Sequence, residues 1–171
     1  MSLSGSWQVA FDTQWGGPAN TRFPSLISWT ESGEEGIKYY SGTAKYSKSF
    51  KLSGKMISSI KRPGKGGRLF IDLGDVKNVA EVKLNGKKLG VLWCAPWRVD
   101  ATDAIKAGNN VLEIAVTNLW ANRVVHDLSL PPARRLTKTH ESFRFDMLNV
   151  NTPILPSGLL GSVTLQSAQT H

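Results

Sequence analysis

The residues that most often act in catalysis are few in this chain, and their spacing does not point to an enzyme active site. Three histidines are present, and His126 is followed directly by Asp127. Neighbouring residues on a strand or loop usually point apart, and no Gly-x-Ser-x-Gly turn presents a serine nucleophile. A catalytic triad built on these two residues is therefore the weaker reading of the sequence.

Metal ligands are equally sparse. Cys94 is the only cysteine, so it cannot form an intrachain disulfide, and the scattered histidines lack the spacing of zinc ligands. We expect no metal and no cofactor, with one alternative open. A structural calcium ion bound by loop carbonyls and a carboxylate would leave no pattern in the sequence.

Paired carboxyl groups would be needed for glycoside cleavage, about 5 to 10 Å apart in a cleft. The 13 Asp and Glu residues show no spacing that pairs them. Asp72 and Asp75 flank a turn after a predicted strand, and Asp100 and Asp103 surround a predicted helix start. Such positions are typical of caps and turns, so we predict no catalytic residue in this chain.

Aromatic residues at predicted strand ends are the best candidates for binding. Aromatic rings can bury the C–H faces of sugars while polar neighbours bond the hydroxyls, although large rings also anchor loops to a core. The planar fork of Arg123 suits Asp127 as an internal partner, and the same segment could dock another domain. The candidates for carbohydrate binding or domain docking are Trp15, Tyr40, Trp93, Trp97, Trp120, Asn122, Arg123 and Asp127.

The elements that must position these residues are short strands. Alternating apolar residues predict a strand over 6–11, and Asn85-Gly86 between two such runs predicts a hairpin over 79–92, because both turn residues accept positive φ. Gly and Pro together make up about one residue in seven, which favours many turns. We predict an all-β sandwich of about eight antiparallel strands, the others lying over 37–52, 68–74, 110–118 and 162–166.

The segments between these strands are predicted as loops. The longest are 12–28, pinned by Trp15 and Trp29, and 122–136, which contains Pro131-Pro132. A basic, glycine-rich loop covers 53–67, and a single helical turn is expected over 103–108.

Composition predicts one domain over residues 1–171 with a sizeable core, since 40% of the residues are hydrophobic. The net charge of +8 comes largely from six basic residues between 51 and 68, which lack interleaved aromatic residues. We therefore expect a solvated loop rather than a nucleic-acid site. No apolar run is long enough for a membrane helix, no signal peptide opens the chain, and Met1-Ser2-Leu3 fits a cloning remnant.

Several motifs follow one another in a fixed order along the chain. They are 5–7 (GSW), 17–18 (GP), 28–29 (SW), 40–46 (YSGTAKY), 72–76 (DLGDV), 80–86 (AEVKLNG), 89–93 (LGVLW), 108–114 (GNNVLEI), 117–123 (TNLWANR) and 156–161 (PSGLLG), with Leu26 and Pro96. Through this ordered set the chain resembles the galactose-binding-like β-sandwich, a jelly roll, found in glycoside hydrolase family 2 enzymes. It is more similar to the C-terminal module of α-L-rhamnosidase-like family 106 enzymes.

The resemblance implies a non-catalytic accessory domain of a larger exported enzyme that degrades plant polysaccharides. The family's catalytic carboxylates lie in a separate barrel domain, which would be the partner of this module, with an oligosaccharide as a further candidate. The parent would act in the periplasm or outside the cell, without nucleic acid or membrane partners. The open alternatives are an autonomous sugar-binding module and a polyanion-binding domain.

Two departures from the family pattern stand out. His126 occupies a position where the pattern has glycine, which implies a different local turn and a different contact with a catalytic domain. The basic loop over 53–67 is also longer than the module requires.

Overall fold

A computed structural model describes residues 1–60, 67–137 and 148–168, without the side chains of residues 59 and 60. These residues form eleven strands and three short α-helices. The strands are β1 (Trp7–Ala10), β2 (Thr21–Phe23), β3 (Thr43–Leu52), β4 (Arg68–Asp72), β5 (Asp75–Lys77), β6 (Val79–Leu84), β7 (Lys87–Leu92), β8 (Arg98–Asp100), β9 (Gly108–Thr117), β10 (Gly158–Gly161) and β11 (Thr164–Ala168). The helices are α1 (Glu35–Lys38), α2 (Gly54–Ile60) and α3 (Ala121–Leu128).

The main sheet has six strands in the order β2-β1-β3-β9-β6-β7, and all of its pairings are antiparallel. Its two long central strands, β3 and β9, pair from Thr43 opposite Thr117 to Leu52 opposite Gly108. A three-stranded sheet, β11-β4-β8, and a two-stranded sheet, β10-β5, complete the described strands. The predicted all-β sandwich is confirmed, with four short strands more than the sequence predicted explicitly: β2, β5, β8 and β10.

The core forms from the inward faces of these strands, as the alternation predicted. Tyr46 and Phe50 of β3, Ile114 of β9 and Ile71 of β4 all belong to one hydrophobic cluster that joins the three sheets. Lys48 of β3 also lies among the inward positions; it remains partly exposed, and its ammonium group donates to Ser6 O at 3.0 Å. One face of the central strands β3, β6 and β9 is thus buried, which fixes the register of their pairing.

The Asn85-Gly86 hairpin is confirmed. Asn85 has φ 53° and Gly86 has φ 81°, so both adopt the left-handed backbone that a tight turn between β6 and β7 requires. The Asn85 side chain also donates to Ala104 O and accepts from Val111 N, at 2.9 and 3.0 Å. The turn is thereby attached to the neighbouring loop and to β9.

The prediction of a loop over 122–136 is wrong, because α3 and a 3-10 helix, Pro132–Arg134, occupy this segment. Helix α3 buries polar residues, Asn122, Arg123 and Asp127, so its inward face does not read as an apolar stripe. Two consecutive valines lower its helix propensity further.

Smaller differences concern segment boundaries. The strand predicted over 37–52 begins only at Thr43 and is preceded by α1, and the 12–28 loop contains β2. The segment 53–67 begins with α2, and residues 61–66 lie outside the described residues. The single helical turn expected over 103–108 lies slightly earlier, where Ala104 N and Ile105 N both donate to Ala101 O, and Gly108 already begins β9.

The first residues of the chain lie against the last strand. Leu3 is buried, and its N–H donates to Val163 O at 2.9 Å. No α-helix in the three described ranges combines the length and apolarity needed to cross a membrane.

Candidate functional site

Four chain segments meet at one end of the main sheet. Because β3 and β9 are antiparallel, the residues before β3 and after β9 lie side by side, and β1 ends next to the start of β3. The 3-10 helix Thr13–Trp15 follows β1 at this end. Helix α3 continues from β9, so its first turn lies in the same group of loops.

These segments enclose a cavity of about 350 Å³, which we call the tryptophan cleft. The side chains of Trp15 and Trp120 are 41% and 52% exposed, which is unusual for residues of this size. The volume of the tryptophan cleft is at the lower end of the roughly 300–1,000 Å³ typical of ligand pockets. The cleft is lined by Trp15, Ser41, Gly42, Asn118, Trp120, Arg123 and Thr137.

Two asparagines hold the walls of the cleft in place. Asn118 accepts from Gly42 N at 2.9 Å and donates to Tyr40 O at 2.9 Å, which ties the end of β9 to the segment before β3. Asn122 is buried and exchanges two hydrogen bonds of 2.8 Å with the backbone of Leu155. Both amides also donate to Ser157 Oγ, at 3.0 and 3.1 Å. These polar groups are therefore structural, and Asn122 acts behind the cleft rather than in it.

Arg123 and Asp127 form a buried ion pair on α3, with side chains 6% and 3% exposed and 3.6 Å between Nη1 and Oδ1. The other carboxylate oxygen accepts three hydrogen bonds, from Thr137 N, Thr137 Oγ1 and Leu136 N. The guanidinium donates from Nη2 to Trp15 O at 3.3 Å. The pair thus joins α3 to two loops, and it matches the internal pairing that the sequence left open.

Tyr40 is fully buried behind the cleft, so it cannot contact a ligand as the sequence suggested. Its hydroxyl donates to Thr43 O at 3.1 Å and accepts from Asp12 N at 3.2 Å. Burial raises the pKa of this phenol above its usual value, with a smaller contribution from the charge of Asp12. Its ring packs edge-on against Phe11 and Trp29. Tyr40 therefore supports the loops that carry the cleft.

The remaining predicted aromatic residues lie away from the cleft. Trp93 directly follows β7 and is 75% exposed. Val79 and Val91 are exposed as well, and the pairing of Val91 with Glu81 places them together on the outer face of the main sheet. We call Val79, Val91 and Trp93 the outer apolar patch. Trp97 is partly buried and packs against the core. Of the eight predicted residues, the structure brings Trp15, Trp120 and Arg123 to one cavity.

His126 lines a second cavity, of about 290 Å³, that it shares with Tyr39. The two rings are stacked, with centroids 4.1 Å apart and planes 3° from parallel. Burial, and then the nearby charge of Arg123, lower the pKa of His126 below its usual 6.5, against smaller opposite effects of Glu35 and Asp127. The residue that departs from the family pattern thus fills a specific place against α1 and the loop that follows it.

Among the residues that the structure describes, no acidic side chain lines the cleft. Asp72 Oδ1 accepts from Gly74 N at 2.8 Å, and Asp100 Oδ1 accepts from Thr102 N at 2.9 Å, as expected of turn residues. In the described part of the chain, no group of three or more His, Cys, Asp or Glu side chains could hold a metal ion.

Sequence reasoning missed four residues of the cleft: Ser41, Gly42, Asn118 and Thr137. The first three could have been found by pairing the predicted strands, since Thr43 lies opposite Thr117 and places them at one end. Nothing in the local sequence around Thr137 indicates that it turns back onto Asp127.

The chain is similar to parts of several known proteins. The structure superposes on a rhamnosidase from Novosphingobium sp. PP1Y with a TM-score of 0.85 and 38% identity, over 98% of this chain and 15% of that one. A candidate β-glucuronidase of Formosa agariphila is 46% identical over 129 residues, which are 75% of this chain and 11% of that protein. A β-glucuronidase from Ruminococcus gnavus shares the fold, with a TM-score of 0.55 and 20% identity over 69% of this chain and 21% of that chain. No protein-family model matches the chain.

The protein is thus an all-β sandwich of the class that recurs within glycosidases. More particularly, it is related to a module of glycoside hydrolases, since nearly the whole chain matches one part of a rhamnosidase. This confirms the family resemblance found in the sequence. The chain spans only between a tenth and a sixth of the length of the first two relatives.

Proposed function

We propose that this chain is a non-catalytic accessory module of a glycoside hydrolase and packs against the catalytic domain of the same parent polypeptide. The proposal rests on the share of each chain that the structural match covers. Nearly the whole chain, 98%, corresponds to only 15% of the rhamnosidase chain, so most of that enzyme lies outside the matching module.

The chemistry of the described residues supports a non-catalytic role. Glycoside hydrolysis uses two carboxyl groups, and no Asp or Glu is among the described residues that line the tryptophan cleft. Asp127 lies behind the cleft, buried and already accepting three hydrogen bonds. Catalysis would therefore come from the remainder of the parent enzyme.

The names of the relatives suggest the substrate class of that parent. One is a rhamnosidase and another a candidate β-glucuronidase, so the parent would act on polysaccharides that contain deoxyhexose or uronic acid units. Such plant polysaccharides are too large to enter a cell, which favours a parent that works in the periplasm or outside the cell.

The outer apolar patch is the surface that we assign to docking. Contiguous exposed apolar residues of a soluble domain often mark an interface, and Trp93 is the most exposed large apolar residue of the described chain. The partner is the catalytic domain, because it would make up most of a parent polypeptide with the proportions of the rhamnosidase.

The test has two parts. The module alone should release no product from 4-nitrophenyl α-L-rhamnoside or β-D-glucuronide. When the module and the rest of the parent polypeptide are produced as separate chains, they should associate, and Trp93→Ala should weaken the association about tenfold or more.

The matched control is Trp120→Ala, which removes an exposed tryptophan from the cleft instead of the patch. It should leave the association unchanged. A reading frame that lacks any adjoining catalytic domain, or equal association of both variants, would contradict the proposal.

A further inference from the structure

We infer that the end of the main sheet opposite the tryptophan cleft is a basic surface that binds an acidic polysaccharide with repeated uronate carboxylates. We call this surface the hairpin end, because the turn between β6 and β7 lies there. The inference rests on the proposed function and deepens it, since it names the class of polysaccharide that the parent enzyme would meet. The lysines of the hairpin end are Lys51, Lys55, Lys87, Lys88 and Lys106.

Strand pairing brings these lysines together from distant parts of the sequence. Strand β3 ends opposite the first residue of β9, so Lys51 lies beside the loop that carries Lys106. The side chain of Asn85 donates to a carbonyl group of that loop at 2.9 Å, and Lys87 and Lys88 directly follow this turn. Helix α2 begins shortly after β3 and carries the fifth lysine.

The charge of the hairpin end is only partly neutralised. All five lysines are exposed, and all except Lys88 lack a carboxylate within ion-pairing distance among residues 1–60, 67–137 and 148–168. Two acids, Asp100 and Asp103, line a cavity beside the turn. Asp100 already pairs with Arg68 at 3.4 Å. Positive groups therefore outnumber acidic ones in the described part of this end.

Exposed acidic residues at the cleft end of the main sheet are too distant to cancel this charge. They lie next to the 3-10 helices Thr13–Trp15 and Trp29–Glu31 and next to α1, and they are Asp12, Glu31, Glu34 and Glu35. Strand β3 has ten residues and separates the two ends by about 30 Å. The Debye length is about 8 Å at physiological ionic strength, so a charged ligand at the hairpin end experiences a basic surface.

The residue type at these positions fits a charged polymer rather than a single carboxylate. A lysine ammonium is a point charge on a flexible stem, whereas arginine is the usual partner for planar, bidentate recognition of one carboxylate. Uronate units repeat along a polysaccharide chain, so several lysines can pair with carboxylates at once and in more than one register. Such binding releases counterions and is therefore strongest at low salt.

The surroundings of the lysines favour a polysaccharide over a nucleic acid or a membrane. Single-stranded nucleic acids stack their bases on aromatic rings, and membranes bind apolar side chains that enter the lipid. Among the residues that the structure describes, no exposed large apolar side chain lies within 51–58, 84–88 or 103–109. The relation to glycoside hydrolases makes a polysaccharide the polymer that the parent would encounter.

Binding at the hairpin end would raise the local concentration of substrate around the catalytic domain. Module and catalytic domain would be parts of one polypeptide, so a polysaccharide bound to one remains close to the other. Individual lysine contacts are weak, and the polymer could therefore advance between successive cleavages.

The experiment measures binding of the 171-residue chain to polygalacturonate by calorimetric titration. The affinity should fall about tenfold or more between about 20 and about 200 mM NaCl, because several lysines displace counterions together. An uncharged galactan should not bind under either condition. The triple variant Lys51→Gln, Lys87→Gln, Lys106→Gln should weaken binding to polygalacturonate about tenfold at the lower salt concentration.

The matched control is the triple variant Arg22→Gln, Lys45→Gln, Arg134→Gln. It lowers the net charge by the same amount at exposed positions outside the hairpin end. Its affinity should change less than about threefold, because distant charges are screened. All six substituted side chains are exposed, so both variants should keep the unfolding temperature of the wild type.

Absence of binding to polygalacturonate at low salt would overturn the inference, as would equal weakening by the two triple variants. The choice of a polysaccharide would be overturned if the hairpin-end variant lost binding to single-stranded DNA or phosphatidylglycerol vesicles while its binding to polygalacturonate was unchanged. Association of the module with the rest of the parent is measured without polygalacturonate. Failure of this inference and failure of the proposed function can therefore be told apart.

Discussion

Nη1 of Arg123 lies 3.6 Å from Oδ1 of Asp127, one helical turn apart on α3, and both side chains are more than nine-tenths buried. One oxygen of the Asp127 carboxylate faces Arg123, and the other accepts hydrogen bonds from the backbone N–H groups of Leu136 and Thr137. The pair therefore stabilises α3 and the loop that follows it together.

Removing the carboxylate should be strongly destabilising. Asp127→Ala leaves a buried guanidinium without its counter-charge and frees two backbone N–H groups, so we expect a loss of about 3–5 kcal/mol in the free energy of unfolding. Urea denaturation measures it. Asp75→Asn, in the exposed pair with Lys77, should cost less than about 1 kcal/mol. Similar losses in both variants would show that the buried pair is not special.

Asn122 should be required for the order of the 155–157 segment. The side chain of Asn122 is buried and exchanges two hydrogen bonds with the Leu155 backbone, so Asn122→Ala removes both bonds at once. We expect a loss of about 1–3 kcal/mol and faster amide exchange at Leu155. Asn109→Ala, at an exposed position, should stay within about 0.5 kcal/mol. Unchanged exchange at Leu155 would refute this role.

His126 should make stability depend on pH in a defined direction. Burial and Arg123 lower its pKa in the folded state, so the unfolded chain binds the proton more readily. The contribution of neutral His126 is complete above about pH 6.5 and should be lost as the pH falls from there towards the folded-state pKa.

The measurement compares unfolding free energies between pH 5 and 8 for the wild type and His126→Phe. Phenylalanine can keep the stacking on Tyr39 but has no proton to bind. The variant should therefore lose less stability on acidification. A steeper loss in the variant than in the wild type would contradict the lowered pKa.

Gly42 should not tolerate a side chain. It has φ 143°, and an added Cβ would lie 2.9 Å from the hydroxyl oxygen of Tyr40. Gly42→Ala should cost about 1–3 kcal/mol through backbone strain and displacement of the buried phenol. Gly33→Ala meets no neighbour within 4 Å and should be nearly neutral. Thermal unfolding of the two variants measures the difference in stability between them.

The sequence predicted those parts of the fold whose patterns are local. Asn85-Gly86 specifies its turn through backbone conformation alone, and the alternation Leu112, Ile114, Val116 of β9 is buried as its period requires. The ordered motifs added the relation to glycoside hydrolases. Such patterns involve only residues that are close together in the sequence, so they can be recognised without the tertiary structure.

The cleft was less accessible to sequence reasoning because its partners are far apart in the chain. Arg123 meets the backbone of Trp15 across 108 residues, and this contact leaves no period. Helix α3 could not be predicted from an apolar stripe, because its buried residues include Asn122, Arg123 and Asp127. The position of Tyr40 near a strand end predicts a surface ring, whereas its burial depends on packing against Phe11 and Trp29.

The hydrogen bonds from α3 to three separate loops have a consequence for protein engineering. A designer who wished to reshape the cleft by exchanging loops between related modules could not move one loop at a time. A foreign loop at Trp15, Ser41 or Thr137 would lose a bond to Arg123 or Asp127, and the remaining loops would shift with it. The helix and its loops form one transplantable unit, and chimaeras that respect its boundaries should keep the stability of the parent fold.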